Sequence, residues 1–456
     1  MTTPTTLILF GGSGDLSSRL LLPALGQLLT DRADIRVQLI GVGADSLSDD
    51  EWSDRVRSSF DTTDSSGEAV DALLRETTYI EADVTDADAL SDVLSKAEGA
   101  PAVYFALPPH VTEKACVALE SVDLPEGTVL GMEKPFGNDA ESAHRLNQQL
   151  LRLVPEEQVH RVDHFLGQST VLNLLGLRFA NRVFEPLWNR DHIDSVGIVY
   201  DEQLGLEGRA DYYDSAGALV DMIQSHLLQV MSIFAMEPPH STDAVDLRDA
   251  KSTVLRATRV CDGDPVASSH RARYTEGTVG DRHFPSYVDE PNVDPSRKTE
   301  TLAQVTFEID NWRWAGVPFT LRSGKAIGTR RREIIVRFKP APHVPGGLSG
   351  SSDADVLRIA LGPDGMALEM NVNGPGDPWE LDRVELSAEF GAGQLKAYGE
   401  VLESMLNGDP SLSVRGDAAE QMWRIVAPVI QAWRNGEVPL DEYATGSEGP
   451  EDWPKV

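Results

Sequence analysis

Hydrophobic positions fall in two rhythms along the chain. In the amino-terminal part, short continuous apolar runs alternate with helical patterns. Leu7 to Phe10 reads as a buried strand, Gly11 to Gly14 as a turn, Leu16 to Leu29 as a helix and Val37 to Val42 as a second strand. The pattern returns at Ala102 to Leu107, stopped by Pro108-Pro109, and at Val129 to Met132. Strands alternating with helices predict a doubly wound parallel sheet with its ligand outside the carboxyl ends of the strands. Past about residue 165 the runs lengthen and alternate, as in Asp194 to Tyr200, Thr301 to Ile309 and Arg332 to Phe338. These fit antiparallel strands, with a helix predicted over Ser215 to Met231 and loops at 344–353 and 374–378. The expected architecture is an α/β Rossmann-like dinucleotide-binding domain, residues 1–165, followed by an α+β domain with a large, mostly antiparallel sheet, residues 166–456, for substrate binding and oligomerisation.

Composition narrows the class. A chain of 456 residues exceeds what one core usually supports, which agrees with two domains. Hydrophobic residues make up 41%, yet no apolar run approaches the roughly 18 residues of a membrane span, and no basic flank or cleavage site marks a signal peptide. A cytoplasmic enzyme with no membrane partner is expected. A formal net charge of -33 disfavours nucleic-acid binding. Two cysteines exclude a disulfide framework, and the histidines show no ligand spacing, so no metal is expected.

The turn Gly11-Gly12-Ser13-Gly14-Asp15-Leu16 lies between strand and helix, where glycines let the backbone approach a pyrophosphate and the helix start favours its charge. At the end of the second strand, Asp45 would pair with a free ribose 2′-hydroxyl and repel a 2′-phosphate, which favours NAD over NADP; alternatively it caps the helix that follows Ser48.

Five further segments follow in order: Glu133-Lys134-Pro135-Phe136-Gly137, Arg161-Val162-Asp163-His164-Phe165-Leu166-Gly167, Phe179-Ala180-Asn181-Arg182, Asp221 to Gln229 around His226, and Val317 to Lys325. Together they resemble the glucose-6-phosphate dehydrogenase family. The resemblance implies an NAD(P)-dependent sugar 1-dehydrogenase that yields a 1,5-lactone, working as a homodimer or homotetramer, with its active site in the cleft between the domains. Oxidising a hemiacetal needs a base for the hydroxyl proton, and imidazole suits that role. The resemblance makes His226 that base, Asp163 its supporting carboxylate and Lys134 the residue positioning cofactor and sugar. It also places Glu202 and Asp221 on sugar hydroxyls, and His164, Lys325 and Arg330 on the substrate side.

Two departures change the picture. The family pattern continues after Leu-Gly with lysine, whereas this chain has Gln168, and Phe165 replaces a frequent tyrosine. Glutamine cannot neutralise a phosphate monoester. A monoanionic sulfonate asks for less charge, so the favoured substrate on this reading is 6-deoxy-6-sulfo-glucose (sulfoquinovose), with glucose 6-phosphate as the alternative and a non-catalytic sugar- or nucleotide-binding homologue as a minor one. On the cofactor side, Ala44 and Ser18 stand where NADP-using relatives carry arginine and lysine, leaving Arg19 as the nearby cation. NAD is therefore preferred, with NADP possible.

Overall fold

The computed structural model describes residues 5–391, 393 and 395–456. The chain forms two compact units, each assembled from three stretches. The first comprises Met1–Gln168, Pro239–Ser252 and Gly393–Trp423, the second Ser169–Pro238, Thr253–Ala392 and Arg424–Val456.

The first unit carries a seven-stranded sheet. Its strands are β1 (Thr5–Phe10), β2 (Val37–Gly43), β3 (Thr78–Glu81), β4 (Pro101–Phe105), β5 (Val129–Glu133) and β6 (Val159–Val162). They lie in the order β3-β2-β1-β4-β5-β6, all parallel, with Ser413–Val414 added antiparallel to β6. The inner strands β1, β4 and β5 are buried on both faces, which explains their continuous apolar runs, while the edge strand β3 is partly exposed. One core cluster holds Leu7, Leu9 and Trp52 and the other Ile8, Phe10 and Phe105, so alternate residues of β1 face opposite layers. The order reverses direction between β1 and β4, the switch point where such sheets bind ligands.

The second unit holds an eleven-stranded sheet, mostly antiparallel as expected. At its centre Ile193–Asp201 runs parallel to Phe319–Gly324 and antiparallel to Arg331–Phe338. A long apolar helical run, Ala210–Ala235, has the length and composition of a membrane span, but 94% of its most apolar window is buried within the protein. The sequence predicts one helix over Ser215 to Met231. The structure instead shows Ala210–Ala218 broken at Gly217 (φ 66°), a π-helical stretch Leu219–Leu227 and an α-helix Leu228–Ala235. Apolar periodicity is blind to this change because nearly every residue here is buried, so no polar face marks the phase. At 344–353 the predicted loop contains a two-residue strand, Ser349–Gly350.

Candidate active site

The nucleotide turn follows β1 directly. Gly11 has φ 81°, and a Cβ there would lie 2.2 Å from the Ala106 carbonyl oxygen. At Gly12 a Cβ would press on Gly41 Cα (3.0 Å) and the Trp52 indole (3.2 Å). The amides of Gly11 and Gly12 both donate to the Val42 carbonyl, at 2.8 and 3.0 Å, and the Ser17 hydroxyl donates to Gly11 O at 2.9 Å. The glycines therefore serve a fixed, tight turn, and the helix that begins just past Gly14 presents its amino terminus there. That is a fitting cradle for a dinucleotide pyrophosphate. Leu16 anchors the helix on the core, whereas Asp15 is exposed and pairs with Arg19 at 3.2 Å.

Beside the turn, Asp45 is exposed after β2, and it does not cap the next helix. Ser48 does, in a reciprocal capping box with Glu51. That helix, Asp49–Asp61, also corrects the count of cations at the turn. Arg19 is 74% exposed in its side chain and tied to Asp15, while Arg55 donates to the backbone carbonyl of Ser13. Sequence spacing hides this contact because 42 residues separate the partners. The signal lies in Trp52, which is fully buried beneath Gly12 and Gly41 and sets the helix so that Arg55, three residues on, faces the turn.

Lys134 and Asp163 follow directly on β5 and β6, so the sheet brings both to its carboxyl edge. The Lys134-Pro135 peptide is cis. Glu133, which ends β5, accepts from the Tyr104 hydroxyl at 2.5 Å, and burial raises its carboxyl above the usual range. Asp163 is fully buried and accepts from the Phe165 amide at 3.1 Å, capping a short 3₁₀ turn, His164–Gly167. The His164 ring stacks on Tyr398 at 5.4 Å. Gly167 makes room for the chain at Ala397, whose carbonyl oxygen would lie 2.5 Å from a Cβ. Gln168, half-buried, closes the turn. Lys251, which the sequence left unremarked, is buried in the field of Asp163, and desolvation lowers its ammonium to about 7.

In the second unit, register brings three strand ends together. Asp201 lies opposite both Gly324 and Arg331, so Glu202, Lys325 and Arg330 emerge at one edge. Lys325 Nζ reaches Glu202 Oε2 at 3.1 Å. Arg332, another residue the sequence analysis did not single out, donates to Glu202 Oε1 at 2.7 Å, and its guanidinium lies 4.4 Å from the centre of the Tyr200 ring. Arg330 is exposed. Below them Asp201 and Arg322 form a buried pair at 3.0 Å; burial still pushes the Asp201 carboxyl up to about 6.

Asp221 and His226 both lie on the π-helical stretch and are 6% and 2% exposed. Hydrogen bonding from i to i+5 brings residues five apart towards one face, which an α-helix would not do. The start of this stretch is held by Glu300, whose Oε1 accepts from the Leu219 amide at 3.0 Å. Its carboxylate fills the space a Cβ at Gly217 would need, at 2.4 Å, and burial raises it to about 7. A cavity of about 1170 Å³, lined by Arg178, Arg182 and Trp312 among others, contains none of the predicted site residues.

Comparisons with known proteins agree across the whole length. The glucose-6-phosphate dehydrogenase NAD binding domain matches residues 8–173, and the C-terminal domain of the same family matches residues 175–456. The chain is 37% identical to the glucose-6-phosphate 1-dehydrogenase of Mycolicibacterium smegmatis, covering 98% of this chain and 95% of that protein. It is 36% identical to that of Zymomonas mobilis, covering 98% and 96%. A crystal structure of glucose-6-phosphate 1-dehydrogenase from Mycobacterium avium superposes with a TM-score of 0.86 at 35% identity, covering 98% and 95%. A glucose-6-phosphate dehydrogenase in complex with glucose 6-phosphate gives 0.87 at 29% identity, covering 98% and 96%.

Proposed function

Given that the chain belongs to the glucose-6-phosphate dehydrogenase family, and is thereby an NAD(P)-dependent dehydrogenase, we propose that it oxidises the anomeric carbon of glucose 6-phosphate to the 1,5-lactone. The observation that carries this reading is the unbroken match, at more than a third identity, to enzymes of that activity over 98% of the chain. The corner around Glu202 supports it. Lys325 and Arg332 together carry one positive charge more than the carboxylate they flank, which suits an anionic sugar.

His226 takes the proton of the anomeric hydroxyl, and Asp163 is the carboxylate that stabilises the imidazolium so formed. Glu202 and Asp221 accept hydrogen bonds from sugar hydroxyls, Lys134 orients the reactants, and His164, Gln168, Lys325 and Arg330 hold the carbon-6 end. A nicotinamide, when bound, would supply the hydride acceptor. NAD is the preferred form, because Ala44 offers no cation and exposed Asp45 repels a 2′-phosphate.

A second reading stands on Gln168. With a neutral side chain where the family pattern has lysine, a monoanionic sulfonate at carbon 6 is the better-matched group, and the substrate becomes 6-deoxy-6-sulfo-glucose. One experiment separates the two: reduced-nicotinamide absorbance with each sugar against NAD and NADP, compared as kcat/KM. A clear preference for glucose 6-phosphate is expected. A preference for the sulfo sugar would overturn the main reading and install the second.

A further inference from the structure

We infer that Arg55 reads the adenosine 2′ position of the cofactor, and that its charge is what admits NADP to a site otherwise shaped for NAD. This rests on the proposed NAD preference and adds the residue that limits it. The end of β2 is crowded: a Cβ at Gly43 would lie 2.7 Å from the Tyr79 hydroxyl and 3.3 Å from Ser13 Oγ. In a sheet of this order the adenosine ribose lies beside that strand end. Three charges act on Tyr79 there, the carboxylates of Asp45 and Glu81 and, opposing them, the guanidinium of Arg55.

Arg55 is not a loose surface cation. Its helix is fixed by the buried Trp52, whose indole donates to Thr77 Oγ1 at 2.7 Å, and by Asp49, which accepts from the Tyr79 amide at 2.9 Å. Arg55 as a whole is half-buried, and its guanidinium donates to Ser13 O. A guanidinium has five N–H donors in a planar fork, so the bond to Ser13 leaves others for a phosphate. A 2′-phosphate carries roughly -1.5 to -2 charge, and Asp45 alone would repel it. Arg55 offsets that repulsion, whereas NAD, with a free hydroxyl, makes no such demand.

The test uses the full-length protein and needs no turnover. Isothermal titration with 2′,5′-ADP and with 5′-AMP compares the same adenosine with and without the phosphate. Arg55→Gln is expected to weaken 2′,5′-ADP about 10- to 100-fold while 5′-AMP stays within about twofold, the size of one or two lost charge-assisted bonds. Equal weakening of both ligands would make Arg55 a prop for the turn and overturn the inference, as would no change in either. If circular dichroism shows Arg55→Gln unfolded, Arg55→Met, which keeps an unbranched stem against the turn but carries no charge, takes over the test. A selective loss of about threefold or more for 2′,5′-ADP supports the inference, and an unchanged ratio overturns it. The preference of the unaltered enzyme between NAD and NADP is read separately, so NAD preference and the role of Arg55 can fail independently.

Discussion

At the turn after β1 the backbone sets the geometry. Gly11, Gly12 and Gly41 are selected for what they lack, and the amides of Gly11 and Gly12 are already committed to Val42 O. At the strand ends of the second unit the side chains do it: both oxygens of Glu202 are engaged by cations, and His226 sits on a helical stretch whose start is held by another carboxylate, Glu300. The first region is specified by shape and tolerates no added atom. The second is specified by charge and protonation, so an isosteric change can silence it while leaving its shape intact.

The sharpest test of that contrast is His226→Asn. The amide preserves much of the volume of a 2% exposed side chain but cannot take the proton. Turnover should fall roughly 10²- to 10⁴-fold, the usual contribution of a general base, with sugar KM changed far less. Near-normal turnover would remove His226 as the base and, with it, the claim that this region works through protonation.

Gly11→Ala is the opposite kind of change, one methyl group and no charge. With φ at 81° and a carbonyl oxygen 2.2 Å from the new Cβ, either the turn or the end of β4 must move. Backbone strain alone costs about 1–3 kcal/mol. Titration should show NAD binding weakened about tenfold or more, and the thermal midpoint should drop. At Gly14, which has no positive φ and a 3.1 Å approach, the same substitution should cost less. Equal effects at the two positions would mean that the turn adapts freely.

The same contrast explains what the sequence made legible. The turn, β1 and β2 are contiguous, so spacing alone carries the glycine pattern, and the parallel and antiparallel sheets follow from the two apolar rhythms. Lys134 falls just past a predicted strand, whereas Asp163 is legible only through the family resemblance, because the short strand before it, Val159–Val162, carries no clear apolar run. Arg55, Arg332 and Lys251 were missed because nothing local sets them apart from ordinary surface cations. Arg55 meets Ser13 across 42 residues and Arg332 meets Glu202 across 130, contacts that only register and packing create. Glu300 escaped for the same reason, as a charged residue 81 positions from the amide it caps.

Glu300 also yields the smallest effect and a clean one, because its sign is fixed. Burial raises its carboxyl to about 7, while in the unfolded chain the group ionises near its ordinary value of about 4.3. Between those pH values the folded state holds a proton the unfolded state has lost, so this group's contribution is fullest below about 4.3 and is lost as pH rises through 7. Glu300→Gln removes the ionisation and keeps an oxygen that can accept from the Leu219 amide. Its stability relative to the unaltered protein, read from urea unfolding midpoints, should therefore improve from pH 5 to pH 8, by up to ~3 kcal/mol. Turnover at pH 7 should stay within about twofold if the cap holds the stretch bearing Asp221 and His226 through geometry. A large loss of turnover with unchanged stability would instead show that the ionised carboxylate acts on the site through its charge, and the division between shape and charge would then run through this helix.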